Sequence, residues 1–397
     1  MKRSILVISN GKGEDSIAVT ILEKLKLIAQ EEDGEEINLI TLPLLGEGLA
    51  YKDKRYFTAA TWSSLPSNGF TSPFSLFKDL RRGLWENFRK QAWIVSRESA
   101  NVDLIVTVGD VVPMLLAVMY GGRKKIVHIA TAISSYIRHY TLPELWFFKK
   151  YIACVVCRDA YTCQELQKYG VNAFYAGNPM MDDPILEPSS VNLGLEKKRK
   201  KIVLVPSSRD DAYINILRML SLLKSFPNKS DVQFVLTMAP SLSLDVLRNA
   251  LTENSEWRLS DNRQRKKPIV AEILNRNTPT VIVVQGYFRD CLQGATLALG
   301  MTGTGNEQIA GLGIPLVLLR GRSAAASGRR MWHYKKLLGE AVSILYGSDQ
   351  KKIKQLTQLL NNERQLGLMS KAGQERMGPA GGAYFIARKI WYYLYSA

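Results

Sequence analysis

The chain has 397 residues, enough for two or three domains that each bury a core, and its 46% hydrophobic and 22% charged residues are typical of a globular protein. The longest uninterrupted apolar stretch, Val111–Tyr120, is too short to span a bilayer, so we expect no transmembrane helix. The formal net charge of +17 predicts attraction to polyanions, namely nucleic acid, anionic lipid or phosphorylated substrates.

The chain begins with an apolar strand, Ser4–Ile8, which is followed by a polar turn and a helical pattern over Ile17–Ile28. This start indicates an α/β domain and a cytoplasmic protein rather than a signal peptide. In the turn SNGKGEDS, Gly11 and Gly13 give only GxGxxS, a near match to the dinucleotide-binding fingerprint, and Glu14 and Asp15 would repel a diphosphate. We expect Gly13, Glu14 and Asp15 on the acceptor side of a site, or else in a plain turn that Asp15 caps.

After a second predicted strand, Ile37–Leu42, the chain becomes aromatic and basic over Phe70–Arg97. The apolar residues of this segment recur near helical spacing, and its cations outnumber its acids. The pattern fits an interfacial helix that enters lipid headgroups, or equally a core-facing amphipathic helix with a solvated basic face. The membrane hypothesis assigns lipid contact to Phe70, Phe74, Phe77, Arg81, Arg82 and Trp85.

Two polar residues stand out in the strands and helices that follow. The predicted strands are Asp103–Val108, Lys125–Ile129 and Ile152–Cys157, and the predicted helices are Val111–Tyr120 and Asp159–Tyr169. This alternation implies a parallel sheet, and Asp110 follows the carboxyl end of one strand, where open α/β sheets bind ligands. Asp110 is therefore a candidate general base, or equally a helix cap. His128 lies on an apolar strand, either as a core histidine or as a ligand contact.

The cysteines Cys154, Cys157 and Cys163 lie close together in the sequence and raise the question of a zinc site. Cys154 and Cys157 are three residues apart on a strand and so point to opposite faces, and no histidine lies nearby. We therefore expect buried thiols and no metal.

Residues 184–201 are rich in Pro, Ser and charge, include the run KKRKK, and are predicted to form a linker. It separates a first domain, 1–183, from a second domain, 202–380, in which strands and helices alternate again. The predicted strands are Lys201–Val205, Val232–Met238, Thr280–Val284, Ala295–Gly300 and Leu316–Leu319, and helices follow to Tyr395.

A phosphate-binding loop is predicted between the strand Ala295–Gly300 and a helix over Asn306–Leu312. Its residues are Thr302, Gly303, Thr304 and Gly305. Small residues allow close approach of a ligand, and the first N–H groups of a helix have no internal partner, so an anion is favoured there. Glu307 or Gln308 can reach a sugar diol beside the phosphate. The alternative is an ordinary strand-to-helix turn whose glycines serve packing.

Ser207, Ser208 and Arg209 lie at the carboxyl end of another predicted strand and can meet the same ligand. Arg209 provides a planar, permanently charged group for phosphate, or else pairs with a neighbouring aspartate, Asp210 or Asp211. Further along, Arg320–Lys336 and the C-terminus YFIARKIWYYLYSA combine cations with aromatic residues. No nucleic-acid-binding motif accompanies them, so lipid phosphate or a nucleotide is preferred.

Five motifs carry a resemblance to a known family: SNGKGEDS, VGDVVP around Asp110, AGNPMMD at 176–182, LVPSSRDD at 204–211 and TGTGNEQIAGLGIP at 302–315. Over nearly its whole length the chain resembles lipid A disaccharide synthase, above all the cyanobacterial proteins related to it. This resemblance implies a GT-B glycosyltransferase with two doubly wound, Rossmann-like α/β domains and a cleft between them. It also implies a C-terminal helix, 381–397, that packs back on the first domain.

The resemblance further implies that Ser208, Arg209 and the loop Thr302–Gly305 bind the diphosphate of a UDP-sugar. The family's ribose-binding glutamate falls on Gln308, with Glu307 one position earlier, so the contact is assigned to this pair. Asp110 corresponds to the family's first-domain aspartate and is the expected base. The family's second aspartate is absent.

The resulting hypothesis is an inverting hexosyltransferase that moves a sugar from a UDP-sugar to a lipid-linked or glycolipid acceptor. It uses no metal and no cofactor, and the absence of a D-x-D pair favours this mechanism. The basic and aromatic segments fit a peripheral protein on the inner face of a membrane rather than a nucleic-acid-binding protein. Two alternatives stay open: an enzyme like UDP-N-acetylglucosamine 2-epimerase, and a non-catalytic relative that binds nucleotide or lipid.

Overall fold

The chain divides into two compact units. The computed structural model describes residues 3–32, 34, 36–61, 84–189, 191–193, 195, 199–227, 231–253, 256–261, 268–275, 280–323 and 326–396. Unit 1 consists of Met1–Asp183 and Pro379–Ala397, and unit 2 consists of Pro184–Gly378. Each unit is built on its own β-sheet.

In the described part of unit 1 the sheet has seven strands in the order β3-β2-β1-β4-β5-β6-β7, and every neighbouring pair is parallel. The strands are β1 (Ser4–Ser9), β2 (Asn38–Pro43), β3 (Phe57–Thr58), β4 (Leu104–Gly109), β5 (Lys125–Ala130), β6 (Cys154–Cys157) and β7 (Ala173–Phe174). All six residues of β4 are buried. A parallel strand covered by helices on both faces is expected to be almost continuously apolar, which is how β4 was recognised in the sequence.

The helices of unit 1 lie between these strands. They are α1 (Lys12–Glu32), α2 (Leu49–Asp53), α3 (Leu84–Ser99), α4 (Val111–Tyr120), α5 (Leu142–Tyr151) and α6 (Ala160–Lys168). Helices α3, α4, α5 and α6 contribute Ala92, Leu116, Leu145 and Leu166 to one hydrophobic core. These four helices therefore cover the same face of the sheet.

The residues of unit 2 that the structure describes form an eight-stranded sheet in the order β10-β11-β12-β9-β8-β13-β14-β15. Its strands are β8 (Lys200–Val205), β9 (Val232–Met238), β10 (Arg258–Asp261), β11 (Ile269–Leu274), β12 (Val281–Gln285), β13 (Leu297–Gly300), β14 (Leu316–Leu318) and β15 (Val342–Ile344). Within the described residues, β11 runs antiparallel to both of its neighbours, β10 and β12, and the other neighbouring pairs are parallel, so β10 and β11 form an antiparallel addition at one edge of a parallel sheet.

The helices of unit 2 are α7 (Asp211–Leu223), α8 (Leu244–Glu253), α9 (Phe288–Leu292), α10 (Thr304–Gly311), α11 (Gly328–Leu338), α12 (Asp349–Leu360) and α13 (Glu363–Met377). The first part of the expected linker is packed within this unit, because the N–H and Oγ of Ser189 both donate to the carboxylate of Asp290, at 3.1 and 2.9 Å. Asp290 is itself buried.

The strand order gives each unit a topological switch point, where successive connections leave in opposite directions. The switch lies between β1 and β4 in unit 1 and between β8 and β13 in unit 2. Open α/β sheets bind their ligands outside the carboxyl ends of the strands at such points. The loops after these four strands are therefore the places where a ligand is expected.

The end of the chain returns to unit 1 as helix α14 (Gly382–Tyr395). Its first turn is held by Asp182, whose carboxylate accepts hydrogen bonds from the N–H groups of Gly381 and Ala383. At the other end, Lys125 Nζ donates to the carbonyl of Ser396 at 2.5 Å. The face toward unit 1 is apolar and fully buried at Ile386 and other positions.

None of the described helices combines the length and the apolar character needed to cross a membrane. The predicted lipid contacts Phe70, Phe74, Phe77, Arg81 and Arg82 lie outside the described residues. The described chain resumes at Leu84, and Trp85 belongs to the first turn of α3.

Candidate functional site

The loop between β13 and α10 has the geometry of an anion site. Helix α10 begins at Thr304, and Gly303 precedes it with φ −84° and ψ −110°, a ψ that residues with a Cβ rarely adopt. No atom lies within 4 Å of the position that a Cβ on Gly303 would occupy, so this backbone is open to a ligand. The N–H groups of Thr304 and Gly305 have no acceptor within the helix, because they belong to its first turn.

Buried side chains hold this loop in place. Tyr334 Oη donates to the carbonyl of Gly303 at 2.9 Å, and Asn306 Nδ2 donates to the carbonyl of Thr302 at 2.7 Å. Both side chains are buried. In a trans peptide the C=O and the following N–H point in opposite directions, so the N–H groups of Gly303 and Thr304 point away from these partners. The loop therefore offers N–H donors outward, as binding of an anion requires.

A single asparagine joins this loop to the loop after β8. Asn215 Nδ2, on α7, donates to the carbonyl of Pro206 at 2.7 Å and to the carbonyl of Met301 at 3.3 Å. Asn215 is fully buried. The two loops are thus fixed against each other at the switch point between β8 and β13. The predicted phosphate loop and the predicted Ser/Arg segment therefore lie next to each other in unit 2.

The loop after β8 exposes Arg209. Ser207 has φ +153°, which glycine adopts more easily than serine, and its Oγ accepts a hydrogen bond from the N–H of Arg209 at 3.3 Å. Ser208 and Arg209 are exposed. Among the residues that the structure describes, the guanidinium of Arg209 forms no ion pair, and the alternative pairing with Asp210 or Asp211 is not observed. The cation is therefore available to a ligand.

Glu307 and Gln308 follow in the first turn of α10 and are both buried. Thr302 is also buried, whereas Thr304 is exposed at the start of the helix. The expected donor-side residues therefore form two groups, one at the surface and one beneath it.

Three features of this region were not assigned to the site from the sequence. Asn215 and Tyr334 support the loops through hydrogen bonds that depend on tertiary packing, so no local sequence pattern predicts them. The loop after β14 also reaches the site, because a Cβ on Gly321 would overlap Met301 Cε and lie 3.2 Å from Asn215 Oδ1. Arg320 and Arg322 flank Gly321 and are exposed. The basic run that contains them was the signal, and from the sequence it was assigned to lipid phosphate or a nucleotide without being placed beside this loop.

In unit 1, Asp110 lies at the switch point between β1 and β4. It caps α4, because its Oδ1 accepts a hydrogen bond from the N–H of Val112 at 2.8 Å. Burial raises the pKa of Asp110 above its usual range, and hydrogen bonds from Val112 and Asn10 oppose the increase. A carboxylate with a raised pKa is a better proton acceptor, so the capping role and the expected basic role are compatible.

The loop after β1 meets Asp110 from the other side. Gly109 has φ +132°, and a Cβ there would overlap Asn10 Oδ1 and lie 3.4 Å from Glu14 Cγ. Of the predicted acceptor-side residues, Glu14 and Gly13 are half-buried near this edge. Asn10, Glu14 and Asp110 therefore form one polar group at the switch point.

Asp15 points away from that edge and into the protein. Its Oδ1 accepts a hydrogen bond from Ser9 Oγ at 2.6 Å, and Ser9 Oγ lies 2.7 Å from Tyr51 Oη. All three side chains are buried, and burial raises the pKa of Asp15 to about 7. Asp15 is the fourth residue of α1, and its hydrogen bond with Ser9 connects this helix to the end of β1 beneath the loop that joins them.

His128 and Asp110 line the same cavity of about 210 Å³. The His128 ring is buried, its Nδ1 lies 2.9 Å from Thr107 Oγ1, and it stacks on Phe148 with 6.2 Å between ring centres. Burial lowers the pKa of His128 to about 4, so the imidazole is neutral at physiological pH. Most of the remaining wall is apolar and belongs to α4 and α5. The cavity is thus largely apolar, and its lining includes the neutral imidazole of His128, the carboxyl group of Asp110 and the carboxylate of Glu144, which pairs with Arg138.

The cysteines Cys154, Cys157, Cys163 and Cys291 are buried free thiols. Burial raises the pKa of Cys154 to about 11. Within the described ranges, no group of three or more His, Cys, Asp or Glu side chains is placed to hold a metal ion.

The solved structures that resemble this chain include glycosyltransferases and epimerases. The calicheamicin glycosyltransferase CalG4 is 13% identical, with a TM-score of 0.63 over 99% of this chain and 98% of its own. The UDP-GlcNAc 2-epimerase from Neisseria meningitidis, bound to UDP-GlcNAc, is 13% identical, with a TM-score of 0.55 over 98% of this chain and 99% of its own. MnaA from S. aureus, solved with UDP, is 13% identical, with a TM-score of 0.56 over 99% and 97%.

No family model and no curated protein matches the chain. At the identities found, the structural likeness shows the fold: two Rossmann-like α/β domains of the kind that GT-B glycosyltransferases and these epimerases share. The expected fold class is therefore confirmed.

Proposed function

We propose that the protein is a glycosyltransferase that binds a UDP-sugar on unit 2 and an acceptor hydroxyl on unit 1. The observation that carries this proposal is that Asn215 joins the loops after β8 and β13, one of which exposes the guanidinium of Arg209 while the other directs N–H groups outward. Structures of similar fold that hold UDP or UDP-GlcNAc support the same ligand class.

The donor half of the reaction follows from the charge that develops on the leaving group. As the bond between the anomeric carbon and the diphosphate breaks, negative charge grows on the diphosphate oxygens. The N–H groups of Gly303, Thr304 and Gly305, the start of α10 and the guanidinium of Arg209 stabilise that charge without a metal ion. Hydroxyls of Ser208 and Thr304 add hydrogen bonds, and Glu307 or Gln308 holds the ribose.

The acceptor half of the reaction relies on Asp110. Its carboxylate takes the proton of the acceptor hydroxyl while the oxygen attacks the anomeric carbon from the side opposite the diphosphate, so the configuration inverts. A new glycosidic bond forms, and UDP leaves. Glu14 and the neutral His128 contribute polar contacts on the acceptor side.

The acceptor class proposed is a lipid-linked or glycolipid hydroxyl at the cytoplasmic face of a membrane, as in the lipid A disaccharide synthase family that the motifs resemble. The largely apolar cavity beside Asp110 supports an acceptor with an apolar part. The reaction needs no cofactor beyond the donor.

An epimerase is the second candidate, because UDP-GlcNAc 2-epimerases share this fold as closely as glycosyltransferases do. The two activities differ in their need for an acceptor. An epimerase converts UDP-GlcNAc to its 2-epimer when it is the only substrate, whereas a transferase releases UDP in proportion to the acceptor supplied. Nuclear magnetic resonance of the nucleotide sugar separates these results.

The first test is titration calorimetry with UDP. The full chain is expected to bind UDP, and Arg209→Ala to weaken binding about tenfold or more, because a charged hydrogen bond to phosphate is lost. The control is Arg364→Ala, which removes an exposed arginine from α13 of the same unit. Equal affinities of the two variants would overturn the donor site, and UDP binding without turnover of any UDP-sugar and acceptor would favour the non-catalytic alternative.

A further inference from the structure

Helix α4 has an unusual surface for a helix at the outside of a domain. All ten of its residues, VVPMLLAVMY, are apolar, and helices that are apolar on every side are normally buried. Yet Val111, Leu115 and Met119 are 39%, 36% and 61% exposed. These residues are four apart and form one stripe along the helix. Nothing in the described part of the chain covers that stripe.

The next helix repeats this feature. On α5, Leu142 is 74% exposed and Trp146 is 55% exposed. Both helices wall the 210 Å³ cavity, α4 with Val111 and Leu115 and α5 with Pro143 and Phe147. Exposed apolar side chains therefore flank the cavity on two sides, and some of them form part of its wall.

Basic residues accompany these apolar ones. Lys149 and Lys150 are exposed in the last turn of α5, and Lys150 Nζ lies 4.7 Å from the centre of the Trp146 ring. Arg123 is exposed just after α4. On α3, which covers the same face of the sheet, Trp93 is exposed, with the Arg97 guanidinium 4.8 Å from its ring.

The acidic residues of these helices are largely neutralised. Glu144 of α5 forms a bidentate pair with Arg138, at 2.7 and 3.0 Å. On α3, Glu86 pairs with Lys90 at 2.7 Å and Glu98 pairs with Arg97, so these two pairs add no net charge to the surface. Helix α4 carries no charge of its own. The α3–α5 surface, defined as the exposed residues of these three helices with Arg123, is therefore apolar and cationic.

The chemistry of this surface selects its partner. Apolar stripes with aromatic residues next to lysines and arginines are suited to the surface of an anionic bilayer. The apolar side chains contact the hydrocarbon, and the cations contact the anionic headgroups. We propose that the α3–α5 surface docks on an anionic lipid bilayer, so that a lipid acceptor enters the cavity beside Asp110 directly from the membrane. The identity of the lipid as acceptor rests on the proposed function, whereas the docking itself does not.

The test is flotation of the full chain with lipid vesicles. Binding is expected to vesicles of equal parts phosphatidylglycerol and phosphatidylcholine, but not to phosphatidylcholine alone. Met119→Gln and Trp146→Gln should each weaken binding about tenfold, and replacement of both Lys149 and Lys150 by Gln by at least as much. Trp332→Gln is the matched control, because Trp332 of unit 2 is 59% exposed and also lies under a lysine, with Lys336 Nζ 3.9 Å from its ring centre. It should leave binding unchanged.

Three results would overturn the proposal: no binding to the anionic vesicles, binding that the Met119 and Trp146 variants retain, or retention on RNA in place of vesicles. Unfolding midpoints of all variants establish that they are folded. UDP binding is measured separately, without lipid. A chain that binds UDP but not vesicles refutes the docking surface alone, and one that binds vesicles but not UDP refutes the proposed function alone.

Discussion

At the scale of single residues, Asp15 gives unit 1 a stability that depends on pH. Burial raises its pKa from 3.8 to about 7, so the folded chain keeps a proton that the unfolded chain has lost over this interval. The contribution of Asp15 to stability is complete below about pH 4 and declines as the pH rises toward 7. Asp15→Asn resembles the protonated acid and should remove the decline. Its unfolding midpoint is expected to rise relative to the natural chain from about pH 5 to about pH 8.

The comparison with the natural chain matters because His128 acts in the opposite direction. Burial lowers the pKa of His128 from 6.5 to about 4, so its contribution is complete above 6.5 and is lost as the pH falls toward 4. Both chains contain His128, so its contribution cancels when the unfolding midpoint of the natural chain is subtracted from that of Asp15→Asn. Asp245→Asn, at an exposed carboxylate of α8, is the control. A midpoint difference that does not change with pH would show that Asp15 does not hold its proton.

Tyr334 tests whether the phosphate loop is held from beneath. Tyr334→Phe keeps the buried ring but removes the hydroxyl that donates to the Gly303 carbonyl. The Gly303 carbonyl then keeps the N–H of Asn306 as a donor, at 3.1 Å, but loses its side-chain partner, so the N–H of Thr304 in the same peptide is held outward less firmly. UDP affinity is expected to fall roughly fivefold by calorimetry. Tyr346→Phe, at an exposed tyrosine of the same unit, should have no effect. Equal affinities would mean that the loop keeps its shape without this bond.

Local chemistry explains which site residues the sequence revealed. Thr302–Gly305 and Arg209 were recognised because small residues and a lone cation follow predicted strands, and strand ends converge in a parallel sheet. Asn215 was missed because an asparagine within a helix has no signature of its own. Its function depends on two carbonyls that only tertiary structure brings within reach.

At the scale of elements, the loops after β1 and β4 touch so closely that one of them requires glycine. Gly109→Ala would place a Cβ onto Asn10 Oδ1 and keep a φ of +132° that alanine disfavours. The expected cost is about 2–4 kcal/mol of unfolding free energy, from backbone strain together with overpacking, as measured by chemical denaturation. The substitution also displaces Asp110, so any transferase activity should fall with it.

Gly122→Ala separates the two causes. Gly122 has φ +67°, but no atom lies within 4 Å of its Cβ position, so only backbone strain of about 1–2 kcal/mol is expected. If both variants lose the same stability, contact between the two loops adds nothing.

The elements that the sequence predicted best are those that are buried on both sides. The continuous apolar runs of β4, β5 and β8 give a clear signal. By contrast, β10 and β11, the two outermost strands on one side of the unit 2 sheet, were not predicted, because Arg258–Asp261 and Ile269–Leu274 mix charged and apolar residues. Helix α10 begins at Thr304, two residues before the predicted start, because Gly303 ends the turn. Ends of elements depend on such caps more than on periodicity.

At the scale of the whole molecule, the alternation of strands and helices was sufficient to predict α/β domains with parallel sheets, because right-handed crossovers leave few ways to arrange such a sheet. The GT-B class itself was predicted from the resemblance of the motifs and not from the alternation. Strand order within each sheet could not be derived in the same way. It depends on where the chain reverses, and this reversal creates the switch points at which both candidate sites lie. The fold constrains the function less than the side chains of the site do, since the same fold supports more than one chemistry.

The return of the chain to unit 1 leads to the last prediction, which concerns the removal of residues 379–397. Helix α14 buries Ile386, Ile390 and Leu394 against unit 1. A fully buried side chain of this size contributes about 1.5–3 kcal/mol, so these three alone account for about 5 kcal/mol or more. That is comparable to the whole stability of a domain. The truncated chain should therefore lose hydrogen-exchange protection in β1, β4 and β5 of unit 1, while β8, β9 and β13 of unit 2 stay protected.

Point substitutions on α14 show whether burial is the cause. Ile390→Ala removes a buried side chain, whereas Phe385→Ala removes one that is 54% exposed on the same helix. Exchange in unit 1 should accelerate in the first variant and stay unchanged in the second, because only the first creates a cavity. If the truncation instead exposes both units equally, the helix stabilises the chain as a whole, and the division into two independently stable units would have to be abandoned.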